Sequence, residues 1–146
     1  MLIPCVLLFG FGSELIPTFS PPSGHDFAAF LESGAGQAFL SGNWVFYALI
    51  VALFVFNTVL GEELLFRGLL LPRMEGAFGR WDWVANGFLF AVYHLHVPWL
   101  MPATLLVDTF AMAYPSRRYR SALIGIIVHS SQSVLFLVLL LFLVPK

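Results

Sequence analysis

Between Trp44 and Leu71 the chain runs for 28 residues without a proline, almost all of them apolar, before Pro72 interrupts the run. At 1.5 Å per residue a helix of that length covers about 42 Å, enough to cross a bilayer with tilt. Ser121 to Val144 adds a second run of 24 residues. Segments of this kind restrict the fold to one that turns apolar side chains outward. Composition agrees, because 60% of the residues are hydrophobic and only 15 of 146 (7 Lys+Arg and 8 Asp+Glu) carry formal charge. A mean hydropathy of +0.90 with 16% aromatic residues excludes disorder. A net charge of −1 without a basic block leaves no electrostatic basis for nucleic-acid binding. One cysteine, Cys5, excludes a disulfide framework and a thiolate metal cluster.

The expected fold is therefore an all-α polytopic membrane helix bundle, with four main membrane helices and a short N-terminal apolar segment. Met1 to Gly12 is too short to span, lacks a basic leader and a small-residue cleavage site, and reads as a truncated or interfacial helix. Residues 13–43, with Pro17, Pro21, Pro22 and several glycines, read as a loop, with an amphipathic turn over His25 to Glu32 on the bilayer surface. This divides the chain into an N-terminal segment and loop, 1–43, and a membrane-embedded domain, 44–146. Ser41 and Asn43 are candidate caps for the first long helix. Trp83 to Val97, closed by Pro98, and Pro102 to Tyr114 are short helices of about 20 Å each, expected to pack as a buried pair. Arg73, Arg80, Arg117, Arg118 and Arg120 occupy two loops, whereas 13–43 holds no Lys or Arg, so that loop is expected to face outward.

Six ionisable residues lie inside these apolar helices: Glu62, Glu63, Arg67, His94, Asp108 and His129. Each costs about 2.5–3.5 kcal/mol or more on insertion scales, which makes it a functional candidate by default. Counted from the cytoplasmic helix ends, Glu62, His94 and His129 fall about 13, 17 and 12 Å deep at 1.5 Å per residue. One carboxylate and two imidazoles at a common level predict a shared cavity. Glu63 and Arg67 are four apart and can pair, while Glu62 points about 100° away from that pair. Glu62 is thus a candidate to take a proton from water, with His94 holding the same water and His129 donating to the oxyanion. The competing account is an ion-pair cluster that only fixes helix packing. His96, two residues from His94 and just before Pro98, is expected on roughly the opposite helix face, at a helix end and outside the site. Asp108 either lines the cavity, binds Arg67 or contacts a water-filled opening. Phe90 is expected to pack, and the loop arginines to serve topology and headgroup contacts.

Glu62-Glu63-Leu-Leu-Phe-Arg67, Phe90-Ala-Val-Tyr-His94 and His129 resemble, in order and spacing, the EExxxR, FxxxH and HxxxN motifs of the CAAX prenyl protease and bacteriocin-processing (abortive-infection) family of intramembrane endopeptidases. The resemblance covers roughly Trp44 to Val144. It implies that Glu62 and His94 activate water, that Glu63 and Arg67 organise the site, and that His129 helps stabilise the oxyanion. Where the family carries Asn, four residues after the last histidine, this chain has Ser133, with Gln132 adjacent. Relatives usually have further spans before the motif helix, so the chain is expected to be a fragment or a minimal version. Motifs of other intramembrane proteases, HExxH, GxGD and a GxS elbow, do not occur in the sequence.

The expected activity is hydrolysis of a peptide bond in a hydrophobic or lipid-anchored protein or peptide, by an integral, multi-pass protein of a bacterial-type plasma membrane in contact with lipid. No cofactor is required on this reading. The alternative is Zn²⁺ held by Glu62, His94 and His129 with an open position for water. Competing functions are a non-catalytic scaffold or bacteriocin-immunity protein that keeps the fold, and part of a proton-coupled transporter. Against the latter, no internal repeat and no matching pair of broken helices is visible in the sequence.

Overall fold

The computed structural model describes residues 1–16 and 19–145, apart from the side chains of residues 13 and 14; Pro17 of the expected loop lies outside the described residues. These residues are all-α, with no strand among them. Helix α1 (Leu2–Phe11) docks on the bundle through Phe9, which belongs to the core. Two short helices, α2 (Phe27–Glu32) and α3 (Gly34–Leu40), occupy the segment expected to be a loop. Helix α3 escapes sequence reading because Gly34 and Gly36 are poor helix formers. What holds it is local: Ser33 Oγ accepts from Gly36 N–H at 3.1 Å, and Leu40 is buried. Asp26 caps α2 in the same way, accepting from Ala29 N–H at 2.9 Å.

Helix α4 (Trp44–Phe54) starts at Asn43, whose side chain accepts from Phe46 N–H at 3.1 Å. It continues into π1 (Val55–Leu70), wound with i to i+5 hydrogen bonds, and then into α5 (Leu71–Phe78). The rod therefore does not end at Pro72. The change of winding makes Leu71–Phe78 a new first turn, where the missing N–H and fixed φ of proline are tolerated. Helix α6 (Asp82–Tyr93) stops before the expected Val97, and His94 is its C-terminal cap residue. Helix α7 (Met101–Ala103), π2 (Thr104–Ala113) and α8 (Tyr114–Tyr119) follow as one rod that runs past Tyr114, with Pro115 in the first turn of α8. Helix α9 (Ala122–Leu141) completes the bundle.

Two stretches, Trp44–Tyr93 and Ala122–Leu141, are long and apolar enough to cross a membrane, each reaching a mean hydropathy of 2.1. Only 6% and 22% of their apolar windows are buried within the protein. A core helix of a water-soluble domain would hide that surface; here it faces outward, as lipid contact requires. The core itself joins Phe9, Phe66, Phe90, Val107, Met112 and Val128. Helices α6 and π2 pack on each other as expected, with Gly87 permitting the approach because a Cβ there would collide with the side chain of Thr109. They are not a buried pair, since Phe88, Leu89, Tyr93, Leu106 and Phe110 are exposed.

Candidate functional site

The wide winding of π1 brings Asn57 under Glu62, five residues on, a separation that does not align side chains in an ordinary α-helix. Asn57 Nδ2 donates to Glu62 Oε1 at 2.7 Å. Glu62 is therefore partnered, although not by Arg67, and it is 4% exposed. Glu63 is fully buried; Arg67 Nη1 donates to its Oε1 at 3.0 Å, and the guanidinium lies over the Phe90 ring at 4.1 Å from the centroid. Room for Glu63 comes from α9, where a Cβ on Gly125 would meet the carboxylate.

Both histidines converge on these acids. His94 Nδ1 lies 2.9 Å from the Phe90 carbonyl, which can only accept, so Nδ1 carries the proton and Nε2 of the neutral ring presents a lone pair. That Nε2 is 4.0 Å from Glu62 Oε1. His129 Nδ1 is 3.0 Å from Glu63 Oε1 and 3.6 Å from Glu62 Oε2, so one ring from α9 bridges two carboxylates of π1. Phe90 packs between them, edge-on to both His94 (4.6 Å) and His129 (6.1 Å). Phe9 of α1 closes the other side of His129 at 5.4 Å.

Glu62, His94 and His129 line one cavity of about 450 Å³. Asn57, Thr58, His96, Gln132 and Ser133 contribute further polar groups, and Phe27, Ile50, Leu53, Phe54 and Phe136 form an apolar wall. His96 corrects an expectation, since it shares the cavity and its ring lies 5.6 Å from that of His94. The helix ends at Tyr93, so the opposite-face rule for residues two apart no longer applies. Ser133 Oγ points back to its own helix, 3.5 Å from the His129 carbonyl. Asp108 is buried on π2, within electrostatic reach of Arg67, His129, Glu63 and Glu62, but is not part of the cavity wall.

Three polar residues that support the site were not singled out from sequence. Asn57 is one. Asn86, buried on α6, donates to the Phe66 carbonyl at 2.9 Å and fastens α6 to π1. Asp82 pairs with Arg117, so that arginine is tied to the bundle in place of a purely peripheral role. Each is a polar residue at the edge or within an apolar run, the signal that could have flagged them. Among the described residues no three His, Cys, Asp or Glu side chains are arranged to hold a metal ion. Glu62, His94 and His129, the alternative zinc donors, line one cavity, and His129 Nδ1 is engaged by Glu63, which leaves its Nε2 as the ring nitrogen open to a ligand.

A family model, type II CAAX prenyl endopeptidase Rce1-like, matches residues 43–135. The chain belongs to that family. The matched span begins at the cap of α4 and ends just beyond Ser133, so it contains every residue of the Glu-His constellation and leaves α1 to α3 outside. No curated protein and no solved structure matches the chain. Rce1-like proteins are membrane-embedded proteases, and the outward apolar surface of α4 and α9 is in keeping with that class.

Proposed function

We propose that the chain is a multi-pass intramembrane endopeptidase that hydrolyses a peptide bond in a hydrophobic or lipid-anchored substrate, using water activated by Glu62 and His94. The observation that carries this reading is the 4.0 Å gap between Glu62 Oε1 and His94 Nε2. A water donating one hydrogen to each of two acceptors about 2.8 Å away holds them roughly 4.4 Å apart, so the gap suits one water in which both protons are engaged. Its lone pairs then point into the cavity. Attack on a carbonyl carbon forms the C–O bond while Glu62 takes the proton; the same proton passes to the leaving amine as the C–N bond breaks. Asn57 holds the Glu62 carboxylate in place throughout.

His129 is the candidate donor to the oxyanion, with a condition set by proton bookkeeping. If Nδ1–H is donated to Glu63, Nε2 donates only when the ring carries both protons. Glu63 and Arg67 act as its positioning partners. No step of this scheme requires an ion. The apolar wall of Phe27, Phe54 and Phe136 supports a lipidated or strongly hydrophobic substrate, and a bacterial-type plasma membrane is the matching location.

The test is a membrane preparation assayed against paired peptides with and without a C-terminal lipid. The parent is expected to cut and His94→Ala to lose cleavage while remaining inserted. Equal cutting by His94→Ala would remove His94 from the water-activating pair, and no cutting by the parent would favour the non-catalytic scaffold reading.

A further inference from the structure

One turn beyond Glu63, Arg67 enters the wall of a second cavity, of about 420 Å³, bounded by α5, α8 and the start of α9. Its chemistry differs from that of the first. Arg67 is 2% exposed, and beyond the Nη1 bond to Glu63 its Nε and Nη2 make no hydrogen bond among the described residues. Ser116, also 2% exposed and in the same wall, has an Oγ with no hydrogen-bond partner among them. Buried donors are rarely left so, and two residues of one cavity wall that carry them just behind its surface call for an acceptor. Ser121 and Ala122 bring the N-terminus of the 20-residue α9 to the same wall, and no side chain caps it. Its first-turn N–H groups and dipole favour an anion.

Neither acid of this wall fills that role, and Glu63 and Asp108, which face Arg67 within the bundle, lie outside it. Asp82 is held by Arg117, and Glu75 is exposed. Arg120 adds a cation at the rim, with its backbone at φ 49°, a left-handed conformation uncommon outside glycine. Guanidinium, hydroxyl and helix N-terminus together make a donor set for a tetrahedral oxyanion. The cavity also lies at the end of the bundle that carries the arginine-rich turns, where headgroups of the inner leaflet would sit.

We propose that this cavity binds a phosphate group, supplied by the headgroup of an anionic membrane phospholipid. The site stands independently of the protease reading. Binding is measured as the saturable rise in unfolding temperature of purified full-length protein in neutral detergent. The probes are inorganic phosphate, short-chain phosphatidylglycerol, and sodium chloride at matched ionic strength. Phosphate and phosphatidylglycerol are expected to stabilise the parent where chloride does not. Ser116→Ala, which removes a hydroxyl without a hydrogen-bond partner among the described residues, is expected to weaken both by roughly tenfold. Arg120→Glu is the second variant, expected to weaken them further and serving if Ser116→Ala does not fold. Stabilisation by the lipid alone or far below the phosphate concentration assigns the headgroup; stabilisation by inorganic phosphate alone assigns free phosphate to the same donors and overturns the lipid source. No saturable shift with either probe, or equal shifts in parent and both variants, overturns the site.

Discussion

At the scale of single residues the site rests on which side chain holds which proton. The Phe90 carbonyl fixes the His94 tautomer, and Asn57 fixes Glu62. Removing the Asn57 amide leaves a buried carboxylate without its hydrogen bond, a charge-assisted contact of about 1.5–3 kcal/mol. Asn57→Ala is thus expected to lower the cleavage rate roughly tenfold to a hundredfold, with less effect in Asn57→Gln, as read in single-turnover assays. Ser133 gives a prediction of opposite sign. Its hydroxyl is turned to the His129 carbonyl at 3.5 Å, whereas the family motif resembled here has an amide at that position. Ser133→Asn is expected to raise kcat, since one oxyanion donor is worth up to about 10²–10³ in rate. An unchanged kcat would show that no donor is lacking there. The depth count put Glu62, His94 and His129 at one level, and the three side chains do line one cavity. Asn57 was invisible to it, since five residues is a neighbour spacing only in the wider winding.

At the scale of elements, helix contacts here depend on small residues that let backbones close. Gly87 lies against Thr109 and Gly125 against Glu63. Gly87→Ala is expected to destabilise the protein by about 1–3 kcal/mol through overpacking of α6 against π2. Gly125→Ala acts on a carboxylate of the site, so its expected signature is loss of cleavage out of proportion to any change in unfolding temperature. Equal losses in both variants would argue that Gly125 is only a packing position. The elements themselves were partly legible. Apolar runs gave the long rods and the packing of α6 on π2, but proline misled at Pro72, and the expected end at Tyr114 was passed in the same way, a change of winding supplying a new first turn in each case. The end of α6 at Tyr93 also escaped the apolar pattern, which continues through Leu95 and Val97. That early end is what brings His96 to the cavity.

For the whole molecule, the charge pattern of the loops fixes a testable orientation. Single cysteines placed at Gly76 and Ser23 in a Cys5→Ser background are expected to react with a membrane-impermeant maleimide from opposite sides, Gly76→Cys from within and Ser23→Cys from outside. Labelling of both from one side would contradict the topology. Within that frame the bundle brings acid and imidazole from π1, α6 and α9 to one cavity facing an apolar wall. Its central claim is that Glu62 is the proton acceptor, and the most direct measurement is the cleavage rate of Glu62→Gln in membranes, alongside its unfolding temperature. Glutamine keeps the size of the side chain and loses the base. A fall of at least about a thousandfold, with unfolding temperature held, is the predicted result; cleavage within a factor of about ten of the parent would contradict it.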